Sequence, residues 1–205
     1  MDLLDNYKKA WGNQVEIPCK FSALEIYKMA HAKSSSIVKW IFIIGILEFV
    51  LLNSLYFFMD MEEAYEEYKK MGLENFVFYS QIVVYAILFY FLAQFYLNYN
   101  QISTTDSTRQ LMKKILKTRK TVRNYVFFNL SYLGLTMIVV TIASININID
   151  QLNNKQILLV VFLMLIATII ILGLFWLFYQ LLYGILLRKL NRNYKELAQL
   201  ETEIS

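Results

Sequence analysis

The sequence predicts an all-α membrane protein, a four-transmembrane-helix bundle with a cytoplasmic N-terminal helical arm, a basic amphipathic helix and a C-terminal tail. Two observations support this fold class. The 205 residues are 58% hydrophobic, whereas a soluble domain is usually about 45–50% apolar. The apolar residues are concentrated in four long stretches, and about 20 of them in a row suffice for a helix to cross a bilayer.

The chain divides into three parts. Residues 1–36 form a polar N-terminal arm of two short helices, residues 37–187 the transmembrane domain, and residues 188–205 the cytoplasmic tail. The four spans are expected at about 37–59, 76–97, 124–145 and 157–187. The fourth stretch, roughly 31 residues, would be about 46 Å long as a helix, so we expect it to tilt or to project beyond the lipid.

The N-terminal arm contains two segments with a helical pattern. In the first, apolar side chains at helical spacing predict a partner-binding stripe made of Leu3, Leu4, Tyr7 and Trp11. In the second, residues 22–25 match a capping box, which predicts a helix from about Ala23 to Ala32. Three serines at 34–36 suggest a hinge before the first span, with an unbroken helix as the alternative.

Lysine and arginine are unevenly distributed between the loops. Of the 20, six lie in the arm or at the start of the first span, seven between the second and third spans, and four after the fourth. The other two loops hold three. Because basic loops are retained in the cytoplasm, we expect a multi-pass protein of the bacterial inner membrane with both termini and the middle loop in the cytoplasm.

One carboxylic acid, Glu48, lies near the middle of the first span. A charged group there costs at least about 2.5 kcal/mol on insertion scales, so it is expected to face the bundle. Gly45, nearly one turn earlier, predicts close packing of that face against another helix. No basic residue lies at matching depth, so we expect Glu48 to be protonated rather than ion-paired. Its expected partner is the hydroxyl of Tyr85 or Tyr90, or a backbone carbonyl.

Other polar residues of the spans fall into two layers when the rise is counted from the centre of each span. Asn53 and Gln81 share a depth in the outer leaflet, and the inner-leaflet layer contains Gln94, Asn129 and Gln180. Hydrogen bonds between helices at such sites contribute roughly 0.6–2 kcal/mol each. The simplest interpretation is that these residues fix the register of the helices. The alternative is an ion or ligand path through the buried carboxylic acid.

Residues 107–123 begin with a capping box at 107–110 and predict a basic amphipathic helix that leads directly into the third span. Its polar surface carries Arg109, Lys113, Lys114, Lys117 and Lys120. We expect these side chains to contact anionic lipid headgroups, each contributing about 1 kcal/mol near the surface. Binding of an acidic cytoplasmic protein is the next hypothesis. Nucleic acid is not expected, because no aromatic residues are interleaved with the charges.

The sequence offers no pattern typical of a catalytic or metal site. It contains one histidine, His31, and one cysteine, Cys19, too few for the four protein ligands of a structural zinc site. An intramembrane serine protease would need a histidine within the spans, and an aspartyl dyad would need two buried aspartates. We therefore expect no enzyme activity, no metal and no cofactor.

Three stretches taken together, KKAWGNQ, HAKSSSIVKWIFIIGILEF and LLRKLNRNYKEL, resemble an uncharacterised family of small four-span inner-membrane proteins from Bacteroidota. The resemblance covers most of the chain. Members of that family are often encoded near extracytoplasmic-function sigma factors, which implies an anti-sigma-like or signalling role. The chain lacks the HxxxCxxC zinc motif of one large anti-sigma class. Some relatives are named carotenoid-cleaving oxygenases. Such enzymes hold iron with four histidines, and this chain has one, so that activity is not expected.

Three functions follow as hypotheses. The leading one is a membrane regulator or scaffold that docks a cytoplasmic partner, because every amphipathic segment is expected on one side of the membrane. The second is a small transporter, or a channel formed by a homo-oligomer, in which Glu48 lines the path of the transported ion or ligand. Four spans with a carboxylate in the first resemble the small multidrug-resistance exporters, although those chains are much shorter and have minimal loops. The third is an accessory subunit of a larger envelope complex.

Overall fold

The computed structural model describes residues 23–58, 61–102, 106–148 and 152–204, which are almost entirely helical and contain no strand. The helices are α1 (Ala23–Ser54), α2 (Met61–Lys70), α3 (Glu74–Asn100), α4 (Thr108–Ile147), α5 (Asn154–Tyr179) and α6 (Ile185–Ile204). A 3₁₀ turn at Leu55–Phe57 follows α1, and a π-helical turn at Gln180–Gly184 joins α5 to α6 without a break.

Four helical stretches are long and apolar enough to cross a membrane: Glu25–Phe57, Glu74–Asn100, Thr108–Ile147 and Asn154–Gln199. The first overlaps the span predicted at about 37–59, and the other three contain the spans predicted at about 76–97, 124–145 and 157–187. The all-α, four-helix membrane fold predicted from the sequence is therefore confirmed, and the chain is a multi-pass membrane protein. The side chains of α5 illustrate the lipid-facing surface, since Leu158 is 75% exposed in the isolated chain.

Three of the four spans continue as helix well beyond the expected membrane boundary. α1 passes through the serines at 34–36 without interruption, so the alternative to a hinge is the one observed. The basic segment and the third span form the single helix α4, which Ser107 and Gln110 open with the predicted capping box. The stripe predicted within residues 1–22 lies outside the described residues.

The extensions pack together into what we call the basic-side bundle, residues 23–38, 108–122 and 185–204. Its core consists of side chains from α1, α4 and α6: Ala30, Val38, Leu111, Met112, Ile115, Leu190 and Leu197. The apolar face of the basic helix is therefore buried within the protein, because it packs on α1 and α6. We call this end of the molecule the basic end.

At the opposite end, which we call the acidic end, side chains of α1, α3, α4 and α5 line a cavity. α5 packs along α4, α3 packs along α1, and the amphipathic helix α2 lies beside α3. α2 ends at Lys70 and is followed by Gly72, whose φ of +66° is the left-handed conformation that glycine adopts most readily after a helix C-terminus. The bundle is thus closed at its basic end and open at its acidic end.

Candidate functional site

Glu48 lies on the inner face of α1 and is only 4% exposed. Its Oε2 accepts a hydrogen bond of 2.8 Å from the hydroxyl of Tyr183. Among the described residues, its Oε1 has no hydrogen-bond partner, and no Lys, Arg or His forms an ion pair with it. A buried polar atom without a partner is unfavourable and rare, which makes Glu48 the leading candidate for a functional group.

Three tyrosines surround this carboxyl group. The hydroxyls of Tyr125 and Tyr179 face it in addition to that of Tyr183, and all three side chains are buried. The ring of Tyr125 lies edge-on to those of Tyr179 and Tyr183, with centroids 6.2 and 5.9 Å away. We call Glu48, Tyr125, Tyr179 and Tyr183 the Glu48 cluster. It joins α1, α4 and the π-helical turn through phenolic hydroxyls, which can both donate and accept hydrogen bonds.

The π-helical turn Gln180–Gly184 places two of these tyrosines. Tyr179 and Tyr183 stack with their centroids 6.3 Å apart and both point at α1. At Gly184, an added Cβ would lie 2.8 Å from the side chain of Gln180, which folds over it. Single π turns inside α-helices occur frequently at functional sites, so this distortion marks the same region as the buried carboxyl.

Gly45 allows α1 and α3 to approach closely beside the cluster. A Cβ at this position would lie 3.0 Å from the ring of Phe95, which itself packs against Tyr125 and Tyr183. The predicted close packing of this face of α1 is therefore confirmed. The glycine determines how deeply Phe95 enters the bundle and thereby supports the tyrosine rings.

The predicted partners of Glu48 are wrong. The Tyr85 hydroxyl donates a hydrogen bond of 2.6 Å to Oδ1 of Asn53, and Tyr90 is 58% exposed. The prediction failed because it placed Glu48 at the middle of the bilayer. Tyr125 follows Arg123 by only two residues, so the cluster lies nearer the basic end than the midpoint of the first span suggested.

The two predicted polar layers do not form as hydrogen-bonded sets among the described residues. Asn53 bonds to Tyr85 rather than to Gln81, which is exposed. In the inner layer, Asn129 donates to the backbone oxygen of Tyr125 at 2.9 Å. Gln94 is half-buried and Gln180 is exposed, and neither bonds to Asn129 in this part of the chain. The interhelical bonds that do form in the spans include Tyr85 to Asn53, Tyr132 to Ser80 and Tyr183 to Glu48.

Below the cluster, buried polar contacts connect the helices of the basic-side bundle. Asn193 donates to the hydroxyl of Ser34 at 3.2 Å, with both side chains buried. Arg119 donates to the side-chain oxygen of Asn191 at 2.7 Å. These contacts bond α1 and α4 to α6.

The predicted basic surface divides into two groups. Arg109, Lys113, Lys117 and Lys120 are exposed. Lys114 instead turns toward the loop before α4, where its Nζ lies 2.6 Å from the carboxylate of Asp106 and also contacts the backbone oxygen of Gln101. The Asp106 carboxylate thus holds Lys114 within the protein. Of the four exposed side chains, Arg109 pairs with Glu201 at 3.8 Å and Lys117 donates to the side-chain oxygen of Gln101 at 3.2 Å.

No group of three or more metal-ligating side chains occurs among the residues that the structure describes. The fold and the Glu48 cluster define the class, an α-helical multi-pass membrane protein with a carboxyl–tyrosine site between its first, third and fourth spans. The chain belongs to the family described as Domain of unknown function (DUF8845), whose model matches residues 24–202. No curated protein and no solved structure matches the chain.

Proposed function

We propose that the chain is a non-enzymatic regulatory protein of the bacterial inner membrane that docks an acidic cytoplasmic partner on its basic-side bundle. The supporting observation is that α1, α4 and the joined α5–α6 helix pass from their spans into this bundle without a break. A continuous helix transmits a displacement along its length. A change at the Glu48 cluster would therefore alter the surface presented at the basic end.

The docking surface would include Lys113, Lys117 and Lys120, which are exposed on α4. Because the apolar face of that helix is already buried, attraction to the partner would be electrostatic and would favour an acidic surface. The N-terminal arm, with its predicted stripe, would supply the apolar part of the contact. Anti-sigma-like control is the specific form of this proposal that the resemblance to the Bacteroidota family implies.

The test uses the full chain, purified from its native membranes in mild detergent. The variant Lys113→Glu, Lys117→Glu, Lys120→Glu reverses the proposed surface, and Lys69→Glu, Lys70→Glu is the matched control on α2 at the acidic end. We expect one soluble protein to co-purify with the wild type and the control but not with the triple variant. If the triple variant keeps its partners and loses only bound anionic lipid, the surface contacts headgroups and the docking proposal is wrong.

A small proton- or cation-coupled transporter, or an oligomeric channel, is the second candidate. It is favoured by the unpartnered Oε1 of a buried Glu48. In liposomes, Glu48→Gln is expected to abolish proton or cation flux, whereas Glu63→Gln, at an exposed position on α2, is expected to leave it unchanged. Equal flux in both variants and the wild type would remove this candidate.

A further inference from the structure

A cavity of about 510 Å³ lies between the spans toward the acidic end. Side chains from α1, α3, α4 and α5 line it together with Met61, Ala64 and Tyr68 of α2. Tyr179 lines it too and also faces Glu48, so the cavity borders the Glu48 cluster. Its volume is within the range of about 300–1,000 Å³ that is typical of small-molecule sites.

The described residues that line this cavity are apolar or carry uncharged hydrogen-bonding groups, and none of them is Asp, Glu, Lys, Arg or His. The hydrogen-bonding groups include Asn53, Ser80, Tyr85, Asn129 and Tyr132. A charged ligand group would lose its hydration here without gaining a counter-ion, which is strongly unfavourable. Hydroxyl and carbonyl groups would find both donors and acceptors, so the lining favours a neutral polar head.

A second space, an apolar groove of about 590 Å³, lies between α3 and α4 and adjoins the cavity. The two share Phe76, Ser80, Val84 and Tyr132. The Tyr132 hydroxyl donates to Oγ of Ser80 over 3.3 Å, which bridges the two helices where cavity and groove meet. Other residues of the groove, such as Leu135, are exposed on the surface of the spans, where the surrounding medium is lipid hydrocarbon.

We propose that cavity and groove together bind a neutral single-chain lipid amphiphile. Its hydroxyl-bearing head would lie in the cavity and donate hydrogen bonds to the hydroxyl oxygens of Tyr132 and Tyr85, which themselves donate to Ser80 and Asn53. Its hydrocarbon tail would lie in the groove between α3 and α4. The ligand would enter sideways from the bilayer. The lack of charge in the cavity selects the head, and the continuity of the groove with the lipid-facing surface selects the tail. This inference is independent of partner docking.

The test uses the full chain in nanodiscs with two photoreactive probes of the same acyl chain, a neutral monoacylglycerol and the anionic fatty acid. Cross-linked residues are mapped by mass spectrometry. We expect the monoacylglycerol to label residues of the cavity and groove and to be displaced by unlabelled monoacylglycerol. The fatty acid is expected to label them at least about tenfold less, a difference of about 1.4 kcal/mol.

Val84→Trp fills the point that cavity and groove share, and Ile82→Trp is its control at an exposed position of the same helix outside both. Labelling should fall at least about tenfold in the first and stay unchanged in the second. Labels spread evenly over lipid-facing positions of α5 would overturn the proposal, as would equal labelling by both probes. The map of cross-linked residues in the wild-type chain tests the proposal even if Val84→Trp does not fold.

Discussion

The hydroxyl of Tyr183 and the carboxyl of Glu48 form a buried hydrogen bond between residues 135 positions apart. The bond joins the first span to the π-helical turn at the end of the fourth. It also lies where the spans meet the basic-side bundle, since Tyr183 is followed by α6. This polar contact therefore ties the first span to the fourth, two residues before α6 begins.

Removing the donor of this bond should weaken the fold. In Tyr183→Phe, Glu48 would lose its partner at Oε2, and an unsatisfied buried polar group costs about 1–3 kcal/mol. We expect the variant to have a lower melting temperature in detergent than the wild type, measured by circular dichroism. Tyr90→Phe, which removes a hydroxyl from an exposed ring, is the control and should melt like the wild type. Identical melting of both variants would show that the bond contributes nothing to stability.

Adding one methyl group at Gly45 should also be destabilising. A Cβ there would lie 3.0 Å from Phe95, and that ring is buried against Tyr125 and Tyr183, so it has little room to move. Overpacking of this kind typically costs about 1–3 kcal/mol. At Gly173 a Cβ meets nothing within 4 Å, so Gly173→Ala should be neutral or slightly stabilising. A fully stable Gly45→Ala protein would contradict the close packing of α1 on α3.

The helices could be predicted from the sequence because each span is a long apolar run and Ser107 and Gln110 are a recognisable capping box. Gly45 likewise indicated which face of α1 is packed. The partners of Glu48 were predicted wrongly because Glu48 was placed at the middle of the bilayer. The cluster lies nearer the basic end, where Tyr125 follows Arg123 by two residues and Tyr183 precedes Arg188 by five.

A sequence signal for the site did exist. Tyr179 and Tyr183 are four residues apart and precede a basic run that begins at Arg188, and residues at this spacing share one helix face. The basic helix shows the opposite limitation. Its amphipathic pattern was correctly recognised, but the pattern alone does not distinguish an apolar face buried on α1 and α6 from one buried in headgroups.

The contact between Ser34 and Asn193 predicts a measurable effect in the basic-side bundle. Ser34→Ala would leave the buried amide of Asn193 without its partner, and we expect a loss of about 1–3 kcal/mol in the free energy of unfolding. Ser36→Ala changes an exposed serine of the same helix and should have little effect. The measurement is thermal unfolding in detergent. If Ser34→Ala and Ser36→Ala are equally stable, the bundle does not depend on this contact.

Two acidic residues that pair with lysines should differ in their contribution to stability. The Asp106–Lys114 pair has side chains 8% and 26% exposed, and removing one member of a buried pair can cost about 3–5 kcal/mol. The Glu67–Lys70 pair is well exposed, and such pairs contribute about 0–1 kcal/mol. We therefore expect Asp106→Asn to lower the melting temperature and Glu67→Gln to leave it nearly unchanged. The reverse order would mean that the loop before α4 is not held by Lys114.

The orientation of the chain yields the last prediction, which concerns the side of the membrane that each end of the bundle faces. Glu66 on α2 and Gln199 on α6 are both exposed and lie at opposite ends. Each is replaced by cysteine in a Cys19→Ser background. Because basic segments stay in the cytoplasm and the basic end carries most of the lysines and arginines, we expect a membrane-impermeant maleimide to label Glu66→Cys in intact cells. Gln199→Cys should react only after the cells are opened.

Labelling of Gln199→Cys in intact cells would place the basic-side bundle outside the cell, beyond the reach of any cytoplasmic partner. That result would exclude the docking proposal, whereas the proposed lipid site would be unaffected.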